Sequence, residues 1–205
     1  MTPRARRRSD LSEGFCYSIA MNDDDAAPTR RWIRLAVPGD GESIGRVQVD
    51  SWRAAYAGLM PDAVLAGLSA QQRGAAWRER LEHPEVAERR CFVADVAGEV
   101  LGFASTGPSR DEGADPSTAE VYALYLAPAS WGRGYGRALF AAAVDDLGAR
   151  RFSAVTLWVL AGNVRGRRFY EAAGMRPDGR TKVEVEGGAD LPHLRYGLSM
   201  MRDVR

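Results

Sequence analysis

The sequence predicts an α/β (α+β) fold, in which a mixed, mostly antiparallel sheet of about seven strands is flanked by helices. Two observations lead to this prediction. Residues 91–107 form two β-rich runs around Ala97-Gly98, a pattern that is typical of a hairpin and therefore of antiparallel pairing. Residues 119–127 and 152–160 are apolar runs joined by a helical stretch, and a helical crossover between two strands requires them to be parallel.

The first half of the chain predicts one strand, two helical stretches and the hairpin. Residues 32–36 alternate and end at a Pro-Gly-Asp turn, which indicates a strand. Apolar spacing predicts a helix over residues 40–57. A second helical stretch starts at Pro61 and reaches about residue 82, with a break at Gly74. After the hairpin, the polar residues 111–118 indicate a loop before the next strand.

The second half alternates helices with strands. Apolar residues at positions i, i+3, i+4, i+7 and i+8 predict an amphipathic helix over 136–150. Residues 152–160 are too apolar for an edge and indicate a central strand. A short helix over 162–173 is closed by a glycine. Residues 181–187 alternate cleanly, and residues 191–200 form a final strand after a Gly-Gly turn.

The length and charge of the chain indicate one globular domain after a short extension. A chain of 205 residues can bury one full core, and we assign residues 31–205 to a single domain. Residues 1–30 carry a basic cluster, RARRR, and an acidic one, NDDD, without apolar periodicity, so we expect a flexible, solvated extension. A nucleic-acid-binding arm is the alternative for this segment. A net charge of +1 gives no overall attraction to nucleic acid or to a membrane surface.

Targeting signals and metal ligands are sparse. We find no apolar run of about 20 residues and no secretory signal, so we expect a cytoplasmic protein that does not span a membrane. Cys16 and Cys91 are too few for a disulfide framework, and Cys91 opens an apolar run where a buried thiol is expected. His83 and His193 are far apart in the sequence. We therefore expect no metal site.

The stretch WGRGYG, residues 131–136, lies between a predicted strand and a predicted helix. This layout is that of an anion site, because the first N–H groups of a helix lack intrahelical partners and glycine lets a phosphate approach them. The P-loop pattern fails, because Gly132 is followed five residues later by Arg137-Ala138. The dinucleotide pattern GxGxxG also fails, because Arg137 stands at its last glycine.

This loop, together with GNVRGRRFYEAAGM at 162–175, resembles the GNAT superfamily of N-acetyltransferases. The acetyl-CoA signature of that family is Gln or Arg, two residues, Gly, one residue, and Gly or Ala. Gly134 and Gly136 match it, whereas Trp131 stands at the Gln or Arg position. The resemblance covers about residues 32–200 and the order of the elements. It implies a GNAT-like domain in which the strand before the loop splays away from a parallel neighbour.

The resemblance also implies how acetyl-CoA, the cosubstrate, would be bound. The backbone of the loop would hold the pyrophosphate, and two arginine side chains would add charge at its rim. The strand before the loop would pair with the pantetheine arm, and its last amide would polarise the thioester carbonyl. Asn163 would hydrogen-bond the arm, although a helix N-cap is an equally good role for it. The implied cofactor-binding residues are Leu124, Tyr125, Leu126, Gly132, Arg133, Gly134, Tyr135, Gly136, Arg137 and Asn163.

Two side chains match the catalytic positions of the family. Tyr170 would protonate the departing thiolate, which suits a phenol whose usual pKa is about 10; packing of the short helix is the alternative. Glu120, on the strand that leads to the loop, would act as the base towards the amine, and a solvated charge is its alternative. If the strand is regular, residues 120, 122 and 124 share one face. Glu184 is a second carboxylate, within an alternation that is typical of an exposed strand.

The acceptor pocket of the family is built from the first helices and the last hairpin. Trp52 and Tyr56 are one helical turn apart and would line it, or pack in the core. His193 would line it or face water. The sequence therefore predicts an acetyl-CoA-dependent transferase that acetylates a primary amine of a small molecule or peptide by direct attack in a ternary complex. A non-catalytic acyl-CoA-binding or sensor domain is the alternative.

Overall fold

In the computed structural model, which describes residues 32–83 and 88–200, seven strands form one sheet in the order β1-β2-β3-β4-β5-β7-β6. The extension predicted for residues 1–30 lies outside the described residues. The sheet is mixed, as predicted, because only β4 and β5 run parallel among the neighbouring pairs described. The strands are β1 (Ile33–Leu35), β2 (Arg90–Val96), β3 (Glu99–Pro108), β4 (Thr118–Leu126), β5 (Ala154–Leu160), β6 (Arg176–Glu186) and β7 (Ala189–Ser199).

The helices flank this sheet: α1 (Gly41–Ala55), α2 (Asp62–Ala66), α3 (Ala70–Glu82), α4 (Tyr135–Ala149) and α5 (Val164–Ala172). The predicted break at Gly74 is wrong. The chain breaks between α2 and α3, where the hydroxyl of Ser69 accepts a hydrogen bond from the N–H of Gln72 and caps α3. Gly74 lies inside α3 because α1 crosses there, and a Cβ on Gly45 would come within 2.3 Å of the Gly74 nitrogen.

Alternation along the strands sends side chains to two cores, one on each face of the sheet. In β2, Phe92 and Ala94 pack against α4, whereas Cys91 and Val93 pack against α1 and α3. Cys91 is a buried free thiol, as predicted, and burial raises its pKa to about 12. It therefore acts as a small apolar side chain.

The parallel pair β4–β5 opens soon after it begins. The two strands pair only from Thr118 to Glu120 on β4 and from Ala154 to Thr156 on β5. Beyond these residues they diverge, and β5 continues to pair with β7 along its length. The divergence leaves a gap in the sheet directly before the glycine loop.

A β-bulge at Tyr122 changes which side chains share a face of β4. Val121 pairs with Thr106 and Ala123 with Ser105, so Tyr122 is the extra residue. Val121 and Leu124 consequently pack in the same core, on the α4 side. The expectation that residues 120, 122 and 124 share one face is therefore wrong, because it assumed a regular strand.

Candidate active site

A cavity of about 660 Å³ occupies the gap between β4 and β5. Its walls come from the C-terminal part of α1, residues 121–126 of β4, the glycine loop and first turn of α4, the end of β5, and α5. Elements that are distant in sequence thus meet at the place where the sheet opens.

The glycine loop turns into α4 with backbone dihedral angles that suit glycine. Gly132 has φ of +75° and Gly134 has φ of +85°, and Gly134 is the N-cap of α4. Gly134 has no side chain with which to cap α4, and no acidic residue lies in the first turn, so the amides at the positive end of the helix dipole can bind an anion. A Cβ on Gly136 would lie 3.2 Å from Leu126 Cδ1, so glycine also keeps the helix close to β4.

Three arginine side chains surround this helix end. Arg133 and Arg137, the two arginines that the resemblance places at the pyrophosphate, line the cavity, and Arg165 of α5 also lines it. All three are exposed, so they can move towards a phosphate. The side chain of Tyr135 is not part of the cavity wall; its ring packs against Trp32, with the ring centroids 5.5 Å apart.

Trp131, the departure from the family signature, joins three parts of the site. Its indole Nε1 donates a hydrogen bond to the Leu126 carbonyl at 3.1 Å, which ties the loop to the end of β4. The guanidinium carbon of Arg165 lies 3.9 Å from the centroid of the Trp131 ring, a cation–π contact that reaches across the gap. Apart from the arginine-rich start of α5, no pattern in the sequence indicates this contact.

The backbone of β4 presents alternate residues to the gap. The N–H of Ala127 donates to the Leu101 carbonyl of β3, so the neighbouring Leu126 directs its N–H and carbonyl away from β3. Leu124, two residues earlier, has the same orientation, whereas the backbone of Tyr125 is directed towards β3. The backbone groups that could pair with an extended ligand are therefore those of Leu124 and Leu126.

Asn163 lies on the cavity wall and caps α5. Its Oδ1 accepts a hydrogen bond from the N–H of Gly166 at 2.9 Å. The N-cap role, one of the two that the sequence left open, is thus confirmed. This cap does not use the side-chain NH₂ group.

Tyr170 also lines the cavity, near the start of the gap. Its ring packs against Phe140, Phe169 and Tyr196, with centroids 5.3–6.4 Å apart. Burial raises the pKa of its hydroxyl well above the usual value for a tyrosine. The side chain therefore packs the short helix and also carries a phenol that stays protonated, so both roles considered from the sequence are compatible.

Glu120 is a buried carboxylate with a dedicated partner. It is 2% exposed, and it forms a two-pronged ion pair with Arg110, whose Nη2 lies 2.5 Å from Oε1 and whose Nε lies 3.2 Å from Oε2. The N–H of Arg110 also donates to Oε2, at 2.9 Å. Glu120 is not one of the cavity-lining residues in the described part of the chain. The solvated charge considered as its alternative role is therefore wrong, since the carboxylate is not solvated.

The three residues predicted for the acceptor pocket are not brought together. Tyr56 lines the cavity, and its hydroxyl is 3.5 Å from that of Tyr125. Trp52 lies behind it, edge-on to the Tyr56 ring at 5.5 Å, as their helical spacing predicted. His193 is on β7, where Nδ1 is 2.9 Å from the Leu191 carbonyl, and it is absent from the described cavity wall. Burial raises the pKa values of Tyr56 and Tyr125.

The comparisons with known proteins agree with this geometry. The sequence model of the acetyltransferase (GNAT) family matches residues 52–175, a range that contains β4, the glycine loop and α5. The chain belongs to the GNAT family.

Relatives within the family match most of the chain. It is 34% identical to an uncharacterized N-acetyltransferase, YuaI, of Bacillus subtilis, over 76% of this chain and 86% of that protein. It is 27% identical to a probable N-acetyltransferase, Rv2775, of Mycobacterium tuberculosis, over 83% and 95% of the two chains. The fold matches that of YncA, a putative acetyltransferase of Salmonella typhimurium, with a TM-score of 0.64 at 21% identity over 84% and 95% of the chains.

As a GNAT acetyltransferase, the protein is an acyltransferase whose cosubstrate is acetyl-CoA. The residues present fit this donor. Gly132 and Gly134 leave the N-terminus of α4 open to a phosphate, and arginines stand at its rim. Within residues 32–83 and 88–200, no helix has the length and apolar character needed to cross a membrane.

Proposed function

We propose that the protein acetylates a primary amine, carried by a small molecule or a peptide, by direct attack on acetyl-CoA in a ternary complex. The observation that carries this proposal is the cavity between β4 and β5, in which the N-terminus of α4 and four tyrosine side chains meet. The N-terminus of α4 suits the phosphates of acetyl-CoA. The tyrosine side chains supply a protonated hydroxyl for the departing thiolate.

Binding of the donor follows from the orientation of the backbone. The amides of residues 132–137 would hold the pyrophosphate, with Arg133 and Arg137 at its rim. The pantetheine arm would extend β4 in the gap by pairing with Leu124 and Leu126. Asn163 uses its Oδ1 in the α5 cap, so its NH₂ group would donate to the arm.

The transfer step needs an oxyanion donor, an acid and a base. The amine nitrogen forms a C–N bond with the thioester carbon, and the C–S bond breaks. The N–H of Leu126, directed into the gap, would stabilise the negative charge that develops on the carbonyl oxygen. Tyr170 would give its proton to the departing thiolate, and its raised pKa keeps that proton in place at neutral pH. Glu120, or water, would accept the proton from the amine.

The proposal is tested by thiol release from acetyl-CoA in the presence of a panel of amines. The panel contains small alkylamines, amino sugars, amino acids and peptides with a free N-terminus. We expect release to depend on one class of acceptor and the acetylated product to appear in equal amount by mass spectrometry. Binding of acetyl-CoA without turnover of any acceptor would instead support a sensor domain.

The acid is tested with Tyr170→Phe, which removes the hydroxyl and keeps the ring. We expect kcat to fall by about 10²–10⁴-fold. Tyr196→Phe is the control, because its hydroxyl is bonded to Glu171 at 2.7 Å and its ring packs against Tyr170. An equal loss in both variants would assign Tyr170 to packing alone. The cytoplasmic location expected from the sequence remains a prediction.

A further inference from the structure

The strand β6 forms an open edge of the sheet. It is the last strand in the sheet order and pairs only with β7 among the described residues. Ten of its eleven residues are exposed, and the exception is Lys182. Val183 and Val185 are 59% and 66% exposed, respectively. An exposed edge with β-branched residues is a ready template for pairing with another strand.

The hairpin turn determines which backbone groups of β6 are directed outward. Gly187 and Gly188 have φ of +58° and +79°, as in a two-residue type I′ turn, and Glu186 is opposite Ala189. In such a turn, a hydrogen bond joins the residues that flank the two glycines, here Glu186 and Ala189. Glu186 therefore directs its backbone groups towards β7. By alternation, Thr181, Val183 and Val185 direct their N–H and carbonyl groups away from β7. These groups are the ones that a new strand would meet.

The charges of residues 180–186, the end of β6 next to the turn, are arranged symmetrically about Val183. Arg180 and Lys182 precede it, and Glu184 and Glu186 follow it at the same distances. If two copies of β6 pair antiparallel about a two-fold axis at Val183, Lys182 is opposite Glu184 of the second copy. Arg180 is likewise opposite Glu186. Opposite charges at directly paired positions stabilise a sheet, and like charges destabilise it.

Neighbouring registers lack this match. An axis at Glu184 would bring two glutamates face to face, and an axis at Lys182 would bring two lysines face to face. The register centred on Val183 also pairs Thr181 with Val185, and both direct their backbone groups outward. The register centred on Val183 is therefore compatible with the hydrogen-bonding pattern, and the charge pattern distinguishes it from the registers centred on Lys182 and Glu184.

We propose that β6 is a self-association edge, which pairs with β6 of a second copy of this chain about a two-fold axis at Val183. The contact is isologous, so it closes as a dimer and does not propagate into a fibre. The two sheets become continuous across the axis. Strand pairing alone buries less surface than the roughly 1,200–2,000 Å² of a stable interface, so the dimer forms in a concentration-dependent way and weakens as salt increases.

The first test exchanges the charges. In the proposed register, residue 182 of each copy is opposite residue 184 of the other. Lys182→Glu therefore places two glutamates opposite each other on both sides of the axis, and Glu184→Lys places two lysines there. We expect both single variants to sediment as monomers at concentrations where the wild-type chain dimerises. The double variant Lys182→Glu/Glu184→Lys restores opposite charges and is expected to restore the dimer. A wild-type chain that stays monomeric, or single variants that dimerise like the wild type, would overturn the proposal.

The second test determines the register of the β6–β6 pairing by disulfide cross-linking. Residues 183 of the two copies form a hydrogen-bonded pair whose Cα atoms are about 5.5 Å apart, within the range of about 4.4–6.8 Å that a disulfide spans. Val183→Cys is therefore expected to form a covalent dimer under mild oxidation. Val185→Cys is the matched control, because residue 185 is opposite Thr181 and far from its own copy.

Both cysteine variants are made with Cys16→Ser, and Cys91 is buried. Cross-linking of Val183→Cys that is no faster than that of Val185→Cys would contradict the register and the proposal with it. Because acetyl transfer is measured separately, failure of this proposal leaves the proposed function unaffected. An edge that instead binds an extended peptide would give cross-linking in neither variant.

Discussion

The indole Nε1 of Trp131 donates a hydrogen bond to the carbonyl of Leu126, at 3.1 Å. The ring also lies under the guanidinium group of Arg165, 3.9 Å from its carbon. One side chain thus links the glycine loop, the end of β4 and α5, which are three walls of the proposed donor site.

Trp131→Phe tests this link, since phenylalanine keeps a ring for Arg165 and loses the indole donor. A hydrogen bond contributes about 1 kcal/mol, so we expect the Kd for acetyl-CoA to rise about fivefold. Trp131→Ala also removes the surface on which Arg165 rests, and a larger increase is expected. Isothermal titration measures both. Unchanged affinity in Trp131→Ala would show that the link does not support donor binding.

Gly134 has φ of +85°, and Gly98, in the turn of the β2–β3 hairpin, has φ of +86°. Replacement by alanine strains both positions, and each variant should lose about 1–2 kcal/mol of unfolding free energy. Gly134 is also the N-cap of α4, so it directly precedes the helix amides that are proposed to bind the pyrophosphate. We therefore expect only Gly134→Ala to lose affinity for CoA, by about tenfold or more. Equal affinities would remove Gly134 from the anion site.

Glu120 and Arg110 form the ion pair that the sequence analysis did not anticipate. Arg110→Ala leaves a buried carboxylate without its partner, so we expect a loss of about 3 kcal/mol in unfolding free energy. Glu120→Gln keeps an acceptor for the Arg110 N–H, and a smaller loss is expected. Denaturant unfolding measures both.

Kinetics then separate the two roles that Glu120 could have. If Glu120 is the base, Glu120→Gln lowers kcat by about 10²-fold or more, whereas Arg110→Ala, which keeps the carboxylate, lowers kcat far less. If the carboxylate only binds Arg110, both variants change the free energy of unfolding and leave kcat nearly unchanged. The second result would leave water as the proposed base.

The sequence was sufficient for the elements because their signals are local. The Ala97-Gly98 turn, with φ of +55° and +86°, and the glycine loop of residues 132–136 are dictated by residues a few positions apart. The features that it missed depend on tertiary contacts. A glycine such as Gly74 usually indicates a break in a helix. Here it lies inside α3 because α1 crosses α3 closely at this position, and that role is visible only in the packing of the two helices.

The proposed catalytic side chains likewise divide into those found from local signals and those that depend on tertiary contacts. Tyr170 and Asn163 were found because the family motif fixes them within one short helix. The Arg110 partner of Glu120 comes from the loop after β3, and the bulge at Tyr122 arises from pairing with that strand. Neither could be read from the periodicity of β4 alone, because both depend on a neighbouring strand.

Four half-buried tyrosines around the cavity make the free energy of unfolding depend on alkaline pH. Burial raises the pKa values of Tyr56, Tyr122, Tyr125 and Tyr170 above the unperturbed value of 10.0. Below that pH, all four are protonated in the folded and unfolded chains, and they add no pH dependence. Above it, the unfolded chain loses these protons first, so the free energy of unfolding falls.

The slope identifies how many of these tyrosines contribute. Each phenol that ionises only in the unfolded chain contributes about 1.4 kcal/mol per pH unit. Tyr56→Phe keeps the ring and removes one ionisable group, so its free energy of unfolding should fall less steeply between pH 10 and the folded-state pKa. Tyr56→Phe/Tyr125→Phe should flatten the dependence further. Urea unfolding at a series of alkaline pH values measures the slopes, and identical slopes in all three proteins would mean that burial does not hold these protons.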